Sequence, residues 1–546
     1  AIVRADTGDI LLSSTGSNGG NITLGAISTN SSSSIAVEIR SAANIVDGTV
    51  AETGNILAAN GTVVLNALQG SIGGVEDIDI NATNLIFNAA TSSVGVVNIT
   101  DLAGGLRISG ASQAGGGGSV IANSPLTISA NVNVGASMTF TAGNSAAAGD
   151  TLTINNNAIV TLNSATTATL TFNAGDDIVF NSGRIVSTGG THNLILAADL
   201  DHAGVGAGDG DRGAITQDGL LGVEVTTNNL TATAAIGIDL DTAVDTLLAS
   251  TSNTGNIRIR EQDAITLTSV STNDGAIDIS AGGTITAISV TATGTDSDAN
   301  DVQLTTIGAG GIVVHSVLAG PALGDVILTS HGSILDGDVV DDLDISGNDV
   351  NLTAGGSIGG TSSDVFKGVF NLIEVNASGN LVANALAGAI ALDANVGGTV
   401  SLSSITAYIE SDGDLLAAPV FAVTNLALIA DADNDGLGTL FLGPTLSVLG
   451  DLRIEGADIV ASDGSIDLAA NRLMVKSGRS ETLNVSATIL DATAFGDLIV
   501  SSLANVELLD LDCDNVALQT LNTVSYTHLR AHETKANLVC RLLLEK

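Results

Sequence analysis

Apolar and polar residues alternate in short bursts along most of the chain, and many of these bursts open on a glycine. Examples are Gly8-Asp9-Ile10-Leu11-Leu12, Gly54-Asn55-Ile56-Leu57-Ala58, Gly255-Asn256-Ile257-Arg258-Ile259, Gly275-Ala276-Ile277-Asp278-Ile279 and Gly450-Asp451-Leu452-Arg453-Ile454. A period of two is the pattern of a strand with one buried face. The bursts are rich in Val, Ile and Thr, which suit strands, and the gaps are rich in Gly, Asn, Asp and Ser, which favour turns and weaken helices. No stretch of the body holds an apolar stripe at helical spacing, so the pattern predicts strands of about 3–6 residues joined by tight turns.

The bursts recur. Ile257 and Ile259 return as Ile277 and Ile279, a shift of 20, and Val326 to Ile334 aligns with Val350 to Ile358, a shift of 24. Periods of this size belong to stacked structural repeats. With strand-forming residues filling the repeat, they predict an all-β solenoid of about 20 residues per coil, in which inward side chains stack on their equivalents one coil along. A tandem array of β-sandwiches is the rival fold, but it needs longer strands and larger core residues. Glycine-rich or acidic interruptions at residues 115–118, 202–213, 295–301 and 431–438 are expected to project as loops.

Composition agrees with a thin core. The 546 residues include 65 Gly but only 9 Phe, 2 Tyr and no Trp. A thick globular core would draw on aromatic rings, whereas a solenoid coil packs only on its neighbours. Mean hydropathy is +0.42, yet every apolar run is broken far short of the ~18 residues of a membrane span, so no transmembrane segment is expected. The chain begins at Ala1 without a basic or apolar leader, and any signal peptide is expected to lie outside it.

The net charge of −42 narrows the partners. About 26 coils spaced at roughly 4.8 Å would make a rod of about 125 Å, or one net negative charge per ~3 Å. That is within about twofold of duplex DNA, so nucleic acid and anionic lipid are excluded as partners. Solubility of a large exposed surface is the plain reading of the charge.

Residues 524–546 break the pattern. Glycine vanishes, and four basic residues (Arg530, Lys535, Arg541, Lys546) face two acidic ones (Glu533, Glu545). The segment resembles an in-frame translation of a sequencing adapter, from Val524 to Thr534 and again from Leu538 to Leu544. The resemblance implies a non-native tail behind a repeat region at 1–523. Without it the body carries a net charge of −44, and Cys513 is its only cysteine, so no disulfide can form within it.

The Gly-x-Ile and Gly-x-Leu phrases, and the string Leu352 to Gly360 echoed at Gly70 to Gly74, resemble the filamentous-haemagglutinin-like and autotransporter-type adhesins of bacteria. That resemblance implies a right-handed parallel β-helix that is secreted or held at the cell surface. It also implies an outer-membrane secretion partner and attachment or biofilm formation through multivalent contact with a cell-surface glycan or protein receptor. Neither a secretion module nor a membrane barrel is visible between Ala1 and Lys546.

Candidate chemistry is sparse. Some β-helices are polysaccharide lyases or hydrolases, and glycoside hydrolysis needs two carboxylates about 5–9.5 Å apart. Asp176-Asp177 and Asp341-Asp342 are adjacent acids, while Arg258, Arg260 and Ser330-His331-Gly332 resemble fragments of a polygalacturonase-type site in the wrong order. His192, His202, His315 and His331 have no partner at triad or metal-ligand spacing. Tyr408 is the body's only tyrosine, where a sugar cleft would use several rings. No catalytic residues and no enzyme are therefore expected.

The remaining motif is Asp431-Ala432-Asp433-Asn434-Asp435-Gly436, the opening of a calcium loop. Alternate carboxylates and a turn-forming Gly suit a hard cation. The pattern then requires Glu at its twelfth position, which is Leu442. Asp431, Asp433 and Asp435 are the candidate metal ligands, with an acidic turn as the competing reading. A calcium-dependent surface-layer protein is a further alternative function.

Overall fold

A computed structural model describes residues 2–14, 20–49, 54–89, 95–144, 149–199, 212–220, 222–338, 342–360, 371–443, 445–461, 466–502, 505–520, 524–526 and 530–531. Among these residues every regular element is a strand. The strands pair in parallel throughout, apart from one isolated antiparallel bridge between Asn155 and Ser182. Parallel pairing of strands one coil apart makes the protein a parallel β-helix and excludes the sandwich array, whose sheets are antiparallel. The chain divides into two compact units, Ala1–Ala281 and Gly282–Lys546.

In the first unit the alternation becomes columns. Leu106, Leu126, Leu152, Ile178, Ile215, Ile238, Ile257 and Ile277 follow one another in register. None is more than 2% exposed. Each such side chain contributes about 1.5–3 kcal/mol through removal from water, and the column runs without a polar interruption. Phe140 and Phe172, adjacent in register, stack with ring centroids 5.2 Å apart. This pair of rings thickens the core across two adjacent coils.

The second unit repeats the device with Val302, Val326, Val350, Leu381 and Val400 in one fully buried column. The shift of 24 between Val326 and Val350 is a register pair, as is the shift of 20 between Ile257 and Ile277 in the first unit.

Coil length is less uniform than expected. The step from Leu230 to Leu247 is 17 residues and that from Ile178 to Ile215 is 37. The register is kept across steps of different length, since a longer connection between strands carries a small entropic cost.

Gly115 to Gly118 does not project as a loop. A β-carbon on Gly117 would stand 2.0 Å from the Ser137 carbonyl oxygen, and one on Gly118 2.0 Å from that of Val97. Both residues have positive φ, and the segment is a tight turn pressed between neighbouring coils. Residues 202–211 lie outside the described residues. In the tail, Val524–Tyr526 and Arg530–Ala531 are described, and both pair in parallel with the strand Val506–Cys513.

Candidate functional site

The acidic loop joins the strand Leu415–Ala430 to the strand Thr439–Leu442. Asp431 and Asn434 take positive φ values of 62° and 58°, and Gly436 takes 85°. Asp, Asn and Gly tolerate that left-handed geometry better than other residues. The loop is fastened by its own carboxylates: Gly436 N donates to Asp431 Oδ1 at 2.9 Å, Asp435 N to Asp433 Oδ1 at 3.2 Å and Leu437 N to Asp435 Oδ1 at 2.9 Å. Carboxylate oxygens of Asp431, Asp433 and Asp435 lie within 4.8 Å of one another, so the structure does bring the three predicted ligands together.

Two surroundings limit what the loop can hold. Leu442, at the position where a calcium loop supplies a bidentate Glu, is buried in the core at 4% exposure. The loop therefore lacks the fourth carboxylate of a calcium shell of six to eight oxygens. Lys476 Nζ donates to Asn434 Oδ1 at 2.6 Å and stands 3.7 Å from Glu455 Oε2, placing an ammonium beside the acids. Ala432 packs against the buried cluster of Tyr408, Ala427 and Ile429, which anchors the loop to the outer side of the sheet. Tyr408 is thus a packing residue whose hydroxyl donates to Glu410. Burial and that carboxylate push its ionisation upward.

Within each unit, the described residues that resemble fragments of a hydrolase site have other partners. Asp176 Oδ2 accepts from Asp150 N at 2.9 Å, and Asp177 Oδ1 from Ala214 N at 2.9 Å, so both acids cap neighbouring coils. Arg260 bonds Asp239 and Asp241 one coil back, while Arg258 lies 3.6 Å from Asp278 one coil forward. These are cross-strand ion pairs on an outer face of the first unit. His331 belongs to the second unit, where its Nδ1 lies 2.6 Å from the Thr306 carbonyl oxygen. His192 is fully buried, with Nε2 3.1 Å from the Thr188 carbonyl oxygen. Asp341 and His202 lie outside the described residues, and Asp342 is exposed.

The structure adds acidic groups that sequence reading passed over. Asp101 is buried at 1% exposure, accepts from Ala82 N, and is pushed up to about 7 by burial. Glu224 is also pushed up to about 7, chiefly by burial, and accepts from Asp241 N at 3.0 Å. Glu261, raised by burial, holds Val244 N and the Thr242 hydroxyl.

A carboxyl pair lies in the second unit. Glu374 N donates to Asp344 Oδ2 at 3.2 Å, which sets the two carboxyl groups beside each other on adjacent coils. Burial raises both, Glu374 more strongly because Asp344 stands beside it. His315 Nδ1 and Asp338 Oδ2 are 3.2 Å apart on adjoining coils. The bond from Glu374 N to Asp344 joins two adjacent coils.

No protein-family model, no curated protein and no solved structure matches the chain. Its described polar clusters therefore rest on their own geometry. That geometry fastens coils and turns: Asp176, Asp177, Asp101 and Glu224 accept backbone N–H groups, and Arg258, Arg260 and Lys476 stand against acids.

Proposed function

We propose that the chain is a structural and adhesive repeat region of an exported bacterial surface protein, attaching by many weak contacts. The observation that carries this reading is the fate of the polar side chains. The groups that could have formed a reaction centre are taken up in capping turns and pairing coils, which leaves the outward faces of the stacked strands as the working surface. Contacts repeated along such a surface add through effective concentration, so a scaffold without a single deep pocket can still hold firmly.

Export through an outer-membrane partner, a place at the cell surface and a glycan or protein receptor belong to the same proposal, supported by the Gly-x-Ile phrasing of the repeats. Residues 524–546 are left outside the working scaffold on the strength of their adapter-like sequence. An enzymatic role gains no support from the Asp344–Glu374 pair, where Asp344 caps the Glu374 N–H of the next coil. The acidic loop is read as a self-fastened turn.

Beads carrying the recombinant chain at graded density test the proposal. Attachment to bacterial cells should rise more steeply than density, the mark of multivalent holding. Attachment no greater than that of albumin-coated beads would remove it.

A further inference from the structure

One face of the first unit carries no charge. The strands Gly118–Ala122, Met138–Ala142, Thr169–Ala174, Asn193–Ala198 and Val225–Ala234, followed by residues 246–251, contain no Asp, Glu, Lys or Arg. They stack in register as consecutive coils. On a chain of net charge −42 this is a local exception, and the strands Gly237–Thr254, Ile257–Glu261 and Ile277–Ala281 of the same unit show the contrast. There the outward positions hold Asp239, Asp241, Arg258, Arg260 and Asp278.

The outward positions of the neutral face form columns of hydroxyl, amide and small apolar groups. One column runs Thr139, Thr171, Ile195, Thr231 and Leu248, and a second Thr141, Asn173, Ala197, Thr233 and Ser250. Neighbouring coils are about 4.8 Å apart, and successive outward side chains along a strand about 6.7 Å apart. Part of the array is already fastened: Asn229 Nδ2 donates to Asn193 Oδ1 at 2.9 Å, and Thr246 Oγ1 to Asn229 Oδ1 at 2.8 Å. Side chains held in place before contact lose little entropy on binding. Ile121 and Leu248, each 39% exposed, set apolar surface among the polar groups.

We propose that this face binds an uncharged, extended polysaccharide of the β-linked glucan kind. Such a polymer presents hydroxyls that both donate and accept, as Thr and Asn do, and apolar C–H faces that match the Ile and Leu positions. Its repeat along one direction runs with the stack, where hydroxyl and amide positions are interspersed with Ile195, Ala197 and Leu248. An acidic polymer would meet the field of the whole chain and be repelled, whereas a neutral one is not. A basic partner would find Asp245 at the edge of this face, already accepting a bond from Asn228 Nδ2 at 2.8 Å, and no acid within the columns themselves. The proposal rests on the attachment reading and names the surface and ligand class for it.

Cosedimentation of the recombinant chain with amorphous cellulose is the test, with calcium polygalacturonate gel as the acidic counterpart. The wild-type chain should pellet with cellulose and not with polygalacturonate. A variant carrying Thr139→Lys, Thr171→Lys and Thr231→Lys should bind cellulose roughly tenfold more weakly, a loss of about 1.4 kcal/mol. A control carrying Thr127→Lys and Thr153→Lys, on other strands of the same unit, should bind as wild type. Circular dichroism checks that both variants are folded.

Absence of cellulose binding, or binding that the triple variant retains, overturns the proposal. So does a wild-type self-association, seen by sedimentation velocity, that the triple variant abolishes, since the face would then be an interface between copies. The same variants on beads separate this idea from the attachment reading. Cell attachment that survives the triple substitution sinks the face alone, and failure of every protein to attach sinks the attachment reading itself.

Discussion

Asp349 Oδ1 accepts the backbone N–H of Asn380 at 2.7 Å, one coil further along the chain. The contact is one rung of a one-way ladder. Asp301 caps Asp325 N at 2.9 Å, Asp325 caps Asp349 N at 2.9 Å, and Asn380 caps Thr399 N at 3.0 Å. Each coil thus offers a side-chain oxygen to the first N–H of the next, as an N-cap does for a helix. The Asp before a Val-rich strand therefore has a structural use, and the acidity of the chain is partly the acidity of its corners.

Removing a rung should cost stability without disturbing the strands. Asp325→Ala leaves Asp349 N without its acceptor, and the expected loss is about 1.5–3 kcal/mol, the range for a hydrogen bond to a charged group. Asp325→Asn keeps an oxygen in place and should cost less than half as much. Urea titration followed by circular dichroism measures both. Equal losses in the two variants would show that charge, rather than the cap, matters there.

The stacked rings make a second point of failure. Phe172→Ala removes a fully buried ring that packs on Phe140, with an expected cost of about 3–5 kcal/mol. In a repeat array the damage concentrates in the affected coil and its neighbours. Hydrogen exchange should accelerate most in the strands Met138–Ala142, Thr169–Ala174 and Asn193–Ala198, which are successive in register. Uniform acceleration across the first unit would contradict nearest-neighbour packing.

Acid should stabilise the fold over a defined window. Asp101 is raised from 3.8 to about 7 and Glu224 from 4.5 to about 7, and the Asp344–Glu374 pair is raised as well. A carboxyl raised on folding binds its proton more tightly in the native state, so stability falls as pH rises from the unfolded to the folded value. Melting temperature should therefore climb as pH is lowered from about 8 to about 5. Asp9 and Asp218 work the other way: the Ser31 and Ser33 hydroxyls lower Asp9 and chiefly the Leu220 N–H lowers Asp218, so their contribution is lost only under more acid conditions. Asp101→Asn should flatten part of the slope; a melting temperature that falls from pH 8 to pH 5 would refute the assignment.

The registers were legible because alternation is a backbone property. Ile257 with Ile277, and Val326 with Val350, could be paired by eye and are paired in space. Coil length was not legible, because the register is kept across steps of different length, as the 37-residue step from Ile178 to Ile215 shows. Among the buried acids, Asp101 shares the inward parity of Val97 and Ile99, and Glu261 that of Ile257 and Ile259. Parity alone could have found them. Glu374 could not be found in this way: it takes the outward parity between Ile373 and Val375 and meets Asp344 across a 30-residue separation. The acidic loop was recognisable from its Asp and Gly spacing, but its fastening by its own N–H groups and by Lys476 required the fold.

That fastening sets the outcome of metal removal. A calcium loop depends on its cation to hold several carboxylates together, so chelation should loosen it. In the loop Asp431 to Gly438 one oxygen of each of Asp431, Asp433 and Asp435 already accepts a backbone N–H, and Lys476 holds Asn434 from the neighbouring strand Ile466–Ser477. The twelfth position, Leu442, points into the core. EDTA at millimolar concentration should therefore leave the melting temperature unchanged, and Lys476→Ala should lower it slightly, as loss of an exposed polar contact does. If calcium instead raises the melting temperature, and Asp433→Asn with Asp435→Asn abolishes that rise, the three aspartates are metal ligands and the self-fastened turn is the wrong account.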